Sequence, residues 1–143
     1  MTPRTRSRTM IIVIVVAILI AGSIPGFMRA KQRTASDRCG NFLVSIGGAA
    51  RLWAGDQGGG RFPPDLVSMS NELTPNFLIC PGDRRQPASA WASFTTEQSS
   101  FEVITPSLLE GDTNHVFLRC KIHGSVLYGD GSVFVNGHLH RKL

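Results

Sequence analysis

The stretch MIIVIVVAILIAGSIPGF at residues 10–27 decides the fold that the sequence predicts. No side chain between Thr9 and Met28 is ionisable. At about 1.5 Å of rise per residue, a helix over this run has roughly the thickness of the hydrocarbon core of a bilayer. We therefore predict a transmembrane helix at 10–27. Pro25 lies near its end and is expected to kink it.

The positive charge of the chain is concentrated around this stretch. The formal net charge is +5, and residues 1–38 carry more than all of it because residues 39–143 are slightly acidic. Basic residues on both sides of an apolar helix attract anionic lipid head groups. We therefore expect a lipid bilayer as partner and no nucleic acid. Residues 1–9 are predicted to form a basic cytoplasmic arm, and the run at 10–27 is longer than the apolar part of an ordinary cleaved signal peptide.

A second helical pattern follows directly at residues 28–55. Apolar residues recur there at steps of three and four, which places them on one helix face. Gly47 and Gly48 weaken this helix by about 1 kcal/mol each relative to alanine, so burial must compensate. The glycines at 58–60 end it. The members of the predicted apolar stripe are Cys39, Phe42, Leu43, Ile46, Ala49, Ala50 and Trp53.

Residues 56–143 predict a small head with a short helix and a β-sheet. Pro64 can open the short helix and Pro75 ends it. The polar segment 84–100 is predicted to be a loop with a helical turn near 88–94.

The last third of the chain has β character. It predicts three or four short antiparallel strands, at 101–104, 116–118, 126–128 and 133–135. The GDGS sequence at 129–132 predicts a tight hairpin turn with positive φ at Asp130 and Gly131. The fold class is therefore α+β, with the sheet covering the apolar stripe of the long helix.

The three cysteines are the strongest candidates for a metal site or a disulfide bond. CPGD at 80–83 and CKIH at 120–123 have the same spacing, so Cys80, Asp83, Cys120 and His123 could form a tetrahedral zinc site. We prefer a Cys80–Cys120 disulfide, as is typical of domains outside the cytoplasm. Closing this loop would stabilise the domain by roughly 3 to 4 kcal/mol in the chain-entropy model. Free thiols are the third alternative. Cys39 is expected to be a small buried residue, and no cofactor is expected unless zinc binds.

Other polar residues give weaker indications of a catalytic or metal-binding site. Ser125, His123 and Asp130 have the residue types of a hydrolase triad but no nucleophile motif around them. One carboxylate in GDGS is too few for calcium. His138 and His140 alternate on a strand or a frayed tail, and we expect an exposed tail rather than a metal-binding pair. We therefore predict that the chain is not an enzyme.

The ordered series of these segments resembles type IV pilin-like proteins, especially the major-pseudopilin-like members of type II secretion systems. The N-terminal part of the resemblance is VAILIAGSIPGFMRAKQRTASDRCGNFLVSIGGAARLWAGDQGGGRFPP at 16–64. The C-terminal part is CPGD at 80–83, CKIHG at 120–124 and LYGDGSV at 127–133.

The resemblance implies a structural protein of a secretion or pilus-like assembly. Such proteins pack an extended N-terminal helix on a small β-sheet and stand in the bacterial inner membrane with the head in the periplasm. Their partners would be copies of the chain or other pilin-like subunits. Small residues allow close helix approach, so Ala21, Gly22 and Pro25 are predicted to form the helix kink and the assembly face.

Two features of that family are missing. If Pro25 corresponds to the family proline, Arg4 stands where the first mature residue is usually phenylalanine and Pro3 stands at the cleavage site. Arg8 then takes the place of the family glutamate. The resemblance implies either a membrane-resident relative or a start that differs from the mature chain. The alternative function is a non-polymerising, membrane-tethered periplasmic binding module.

Overall fold

The computed structural model describes the backbone of residues 3–143 and the side chains of Val13, Ala30 and residues 32–143. A long helix, α1, spans Pro3–Asp56. The chain divides into two compact units, Met1–Thr34 and Ala35–Leu143. Apart from Val13, the predicted membrane helix at 10–27, with Ala21, Gly22 and Pro25, lies outside the residues whose side chains are described. Within the described residues, no helix combines the length and the apolar composition needed to cross a membrane.

The second unit contains a five-stranded antiparallel sheet in which every strand pairs with its neighbours in chain order. The α+β class with an antiparallel sheet is therefore confirmed. The first four strands coincide with the predicted apolar runs. Their bounds are β1 Phe101–Val103, β2 Val116–Cys120, β3 Val126–Tyr128, β4 Ser132–Val135 and β5 His138–Lys142.

Strand β5 shows that the tail is paired with β4, although most of its residues are exposed as expected. Asn136 and Gly137 have φ angles of 52° and 79°, and Val135 pairs directly with His138. Two residues with positive φ form the tight turn that best matches the twist of a hairpin, and Asn-Gly is its preferred sequence. The tail therefore folds back on β4 as a fifth strand.

The GDGS segment forms the predicted turn between β3 and β4, with one difference. Gly131 has a positive φ of 83°, whereas Asp130 does not. The Asp130 carboxylate accepts hydrogen bonds from the backbone N–H and the hydroxyl of Ser132, both at 2.9 Å. This local side-chain bonding stabilises the turn without a left-handed aspartate.

The segment between α1 and the sheet contains short 3₁₀ turns and, at Arg61, an isolated β-bridge to Leu109. The predicted helix between Pro64 and Pro75 is reduced to the turn Val67–Met69, because too few apolar residues follow the prolines to bury a longer helix. Further turns lie at Pro75–Leu78, Trp91–Ser93 and Thr96–Gln98. The Trp91 indole donates a hydrogen bond to the Leu73 carbonyl at 2.9 Å and anchors the loop.

The apolar stripe of α1 packs against the sheet in one core, as predicted. Leu43, Ile46 and Ala50 are fully buried in the same cluster as Phe117 and Leu127, which lie on β2 and β3. The core places the face of α1 that contains Cys39 against the end of β2. This packing positions the candidate site.

Gly47 lowers the helix propensity of α1, but it lies where the helix packs closely on the sheet. A Cβ atom at Gly47 would lie 3.2 Å from both Cδ atoms of Leu127 and 2.6 Å from Cδ1 of Leu143. The glycine therefore allows α1 to approach the sheet more closely than alanine would. The propensity lost in the helix is offset by burial of apolar surface.

Candidate metal centre

Three separated segments bring four potential metal ligands together. Cys39 comes from α1, Cys80 from the loop after the turn Pro75–Leu78, Cys120 from the end of β2, and His123 from the β2–β3 connection. Their ligand atoms all lie within 4.8 Å of one another. The three cysteines are at most 1% exposed, and His123 is partly buried.

Local structure accounts for the position of each group. Cys39 precedes the buried Leu43 by four residues and lies on the same helix face. Cys120 pairs with Phe101 on β1. Beyond it, Gly124 adopts a φ of 66° and donates a backbone hydrogen bond to the Cys120 carbonyl at 3.0 Å. This turn brings His123 back over the end of the strand.

His123 faces the sulfur atoms with one ring nitrogen. Its Nδ1 is 3.1 Å from Cys80 Sγ and 4.0 Å from Cys120 Sγ, and its backbone N–H donates to Cys120 Sγ at 3.5 Å. Gly82 leaves room for the ring, because a Cβ at this position would lie 2.6 Å from His123 Cε1. The glycine of CPGD is therefore required by the close approach of the imidazole.

Asp83 does not belong to the group of potential metal ligands, and Cys39 takes its place in the set considered from the sequence. Its Oδ2 accepts hydrogen bonds from Ser100 Oγ at 2.6 Å and from Arg85 Nη2 and Nε at 2.6 and 2.9 Å. The Arg85 guanidinium and the Ser100 hydroxyl hold the pKa of this carboxyl well below its usual 3.8. Ser100 Oγ also accepts from the Cys80 backbone N–H at 3.0 Å. Asp83 therefore orders the loop that carries Cys80.

The three sulfur atoms lie close enough together to shift one another's pKa values. The neighbouring thiols of Cys39 and Cys80 lower the pKa of Cys120. The hydrogen bond to Cys120 raises the pKa of Cys80 to about 11. Hydrogen bonds to Cys120 and Cys80, with burial, raise the pKa of Cys39 far above its usual 9.0.

The donor set and its spacing match what a metal ion requires. Metal–sulfur distances of about 2.3 Å in a tetrahedron place sulfur atoms about 3.8 Å apart, which is within the spread of this group. Three sulfur atoms and one imidazole could therefore bind a metal. In the structure all three are free cysteines, without the Cys80–Cys120 bond that we preferred from the sequence.

The serine, histidine and aspartate that have the residue types of a hydrolase triad do not hydrogen-bond to one another in the described part of the chain. Ser125 Oγ is buried and, among the described residues, has no hydrogen-bond partner. Asp130 pairs with Lys142 at 2.8 Å in the β3–β4 turn, while His123 faces Cys80. His140 Nε2 lies 3.1 Å from Asn41 Oδ1 on α1. No hydrolase triad is therefore assembled from the predicted serine, histidine and aspartate.

Cys39 is the potential ligand that sequence reasoning missed. The symmetry of CPGD and CKIH suggested two ligands from each motif. Two signals pointed to Cys39: it lies on the buried stripe, and it is the third cysteine of an odd number. The stripe had to face the sheet, where the other motifs are located.

Comparisons with protein family models, with curated proteins and with solved structures found no match for this chain. The chain's own sequence and geometry therefore carry the functional argument.

Proposed function

We propose that this chain is a membrane-anchored, pilin-like or pseudopilin-like structural subunit of a type II secretion or type IV pilus-like assembly. One observation carries the proposal. The apolar stripe on the C-terminal part of α1 packs on a small antiparallel sheet that follows it in the chain. This is the order of elements that the resemblance to pilin-like proteins implies.

The sequence supports the location that the proposal requires. The uncharged run at 10–27 is long enough to span a bilayer, and basic residues flank it on both sides. The proposal places the chain in the bacterial inner membrane as a single-pass protein, with residues 1–9 cytoplasmic and the head periplasmic. Its partners are the lipid bilayer and copies of itself or other pilin-like subunits.

Assembly would use the N-terminal helix. Small side chains let helix backbones approach closely within a membrane, where van der Waals packing drives association. Ala21 and Gly22 supply such a surface. The proposal therefore assigns subunit contact to this part of the helix.

A non-polymerising membrane tether is the second candidate, and the arginines near the start favour it. Arg4, Arg6 and Arg8 precede the apolar run. Extraction into a filament would draw these charges through lipid at a cost of about 3 kcal/mol or more each. In this alternative, the same scaffold remains in the membrane and presents the head as a binding module.

Photo-crosslinking in intact membranes separates the two candidates. A photoreactive residue at Ala21 should give a ladder of crosslinked multimers if the chain is an assembly subunit, and Gly22→Leu should weaken the ladder. The same probe at Leu139, which is exposed on the head, is the matched control and should give little crosslinking. A chain that stays in the membrane fraction but crosslinks only as a monomer would contradict the subunit and support the tether.

A further inference from the structure

We propose that Cys39, Cys80, Cys120 and His123 bind one Zn²⁺ ion in a closed tetrahedral site that fixes α1 to the head. The four ligand atoms lie within 4.8 Å of one another. Structural zinc sites use four protein ligands drawn from cysteine and histidine, and three cysteines with one histidine is an established set. All four positions are filled by the chain, so the site is structural and leaves none for a substrate.

Convergence of four groups favours a metal over a disulfide. A disulfide would need only two of the three cysteines, and it gives no role to the imidazole whose Nδ1 lies 3.1 Å from Cys80 Sγ. Cys39 comes from a helix 41 positions before Cys80, and a Cys80–Cys120 bond would leave it buried beside the bridge. A metal ion uses all four groups in one site.

The donor atoms select the kind of metal. Calcium and magnesium are bound by oxygen ligands, whereas this group supplies three sulfur atoms and one nitrogen. The nearby carboxylate of Asp83 is already bound to Ser100 and Arg85. Thiolate and imidazole in a tetrahedron are typical of zinc.

Binding requires no oxidant or reductant. Zn²⁺ forms three bonds to thiolate sulfur and one to the neutral imidazole Nδ1, and the thiol protons leave to the solvent. The backbone N–H of His123, which points at Cys120 Sγ at 3.5 Å, supports the coordinated sulfur. Such contacts to ligand atoms orient a metal site and tune its affinity.

The zinc content of the full chain tests the proposal. The chain is purified in detergent under reducing conditions, and metal content is measured by mass spectrometry with a count of reactive thiols. About one zinc ion per chain is expected. Cys39→Ser should lose stoichiometric zinc, whereas the control Leu52→Lys, at an exposed position on the same helix, should retain it. Asp83→Asn separates the two ligand sets, because zinc should remain bound, in a less stable head, if Asp83 only orders the loop that carries Cys80.

A second pair of variants keeps the test decisive if Cys39→Ser fails to fold. His123→Cys supplies another soft ligand and should retain zinc, whereas His123→Ala should bind it more weakly. Cobalt can replace zinc as a spectroscopic probe, and His123→Cys should strengthen its sulfur-to-metal charge-transfer bands.

Three results would overturn the proposal. They are a wild-type chain that takes up no zinc, a folded chain with a Cys80–Cys120 disulfide in peptide mapping, and zinc that is lost from Asp83→Asn but kept by Cys39→Ser. The last result would indicate that Asp83, and not Cys39, is the fourth zinc ligand.

Discussion

Two of the junctions between α1 and the rest of the head differ in chemistry. The sulfur junction consists of Cys39, Cys80, Cys120 and His123, with its cysteines buried. The turn junction, twelve residues further along the helix, is centred on Arg51. Its guanidinium donates to the Asp130 carbonyl at 2.9 Å and lies 3.3 Å from the Glu110 carboxylate. These junctions are about 18 Å apart along the helix axis.

Both junctions hold α1 against the head, but the stability of one depends on salt and that of the other on metal. Partly exposed ion pairs contribute about 0 to 1 kcal/mol and are screened by salt. Structural zinc sites contribute about 10 kcal/mol or more of apparent binding energy near neutral pH, and that energy is coupled to folding. Under the zinc proposal, the sulfur junction determines whether the head folds. The turn junction makes only a small contribution to the free energy of unfolding.

Metal removal should give the largest effect. Treating the full chain with a strong chelator under reducing conditions should lower the unfolding temperature of the head by about 15 °C or more, because loss of several kcal/mol shifts the midpoint by this amount in a domain of this size. Scanning calorimetry measures the shift, and added zinc should reverse it. An unchanged midpoint in a metal-free chain would contradict the dominance of the sulfur junction.

Asp83→Asn should give an intermediate effect. The folded-state pKa of Asp83 lies below its usual 3.8. The carboxylate therefore stabilises the fold above about pH 4, and this contribution is lost as the pH falls through the lower folded-state value. The variant should lose about 1 to 3 kcal/mol at pH 7 and show a weaker loss of stability in acid.

Urea unfolding at several pH values measures this difference. The variant and the wild type should converge in stability as the pH falls below about 4. If the free energies of unfolding of the variant and the wild type changed in parallel with pH, Arg85 and Ser100 would not stabilise the charged form of Asp83.

Arg51→Met should give the smallest effect. The change keeps an unbranched apolar stem but removes the hydrogen bond to Asp130 and the ion pair with Glu110. We expect a loss of about 1 kcal/mol in the free energy of unfolding, since the group is partly exposed. Leu52→Lys is the control at an exposed neighbouring position and should stay within about 0.5 kcal/mol. A loss larger than that caused by chelation would reverse the ranking of the junctions.

Local patterns predicted much of the fold. The three- and four-residue spacing of Leu43, Ile46 and Ala50 identified the buried face of α1, and the apolar runs identified four strands. The fifth strand was missed, although Asn136 and Gly137 carry a strong hairpin signal. The basic and polar residues of β5 had been interpreted as an exposed tail.

The site was less predictable because its geometry depends on long-range packing. Cys120 and His123 are three residues apart and were recognised from their spacing. Cys39 joins them only because α1 packs on the sheet. Asp83 stands among the possible zinc ligands in the sequence because the sequence does not show that Ser100, seventeen residues away, binds its carboxylate.

X-ray absorption at the zinc edge counts the atoms bound to the metal in the intact chain and therefore tests the four-ligand site. We expect three sulfur atoms at about 2.3 Å and one nitrogen at about 2.0 Å. Removing Cys39 should reduce the sulfur count or abolish binding. A wild-type spectrum with two sulfur atoms and an oxygen ligand, or a folded chain without zinc, would contradict it.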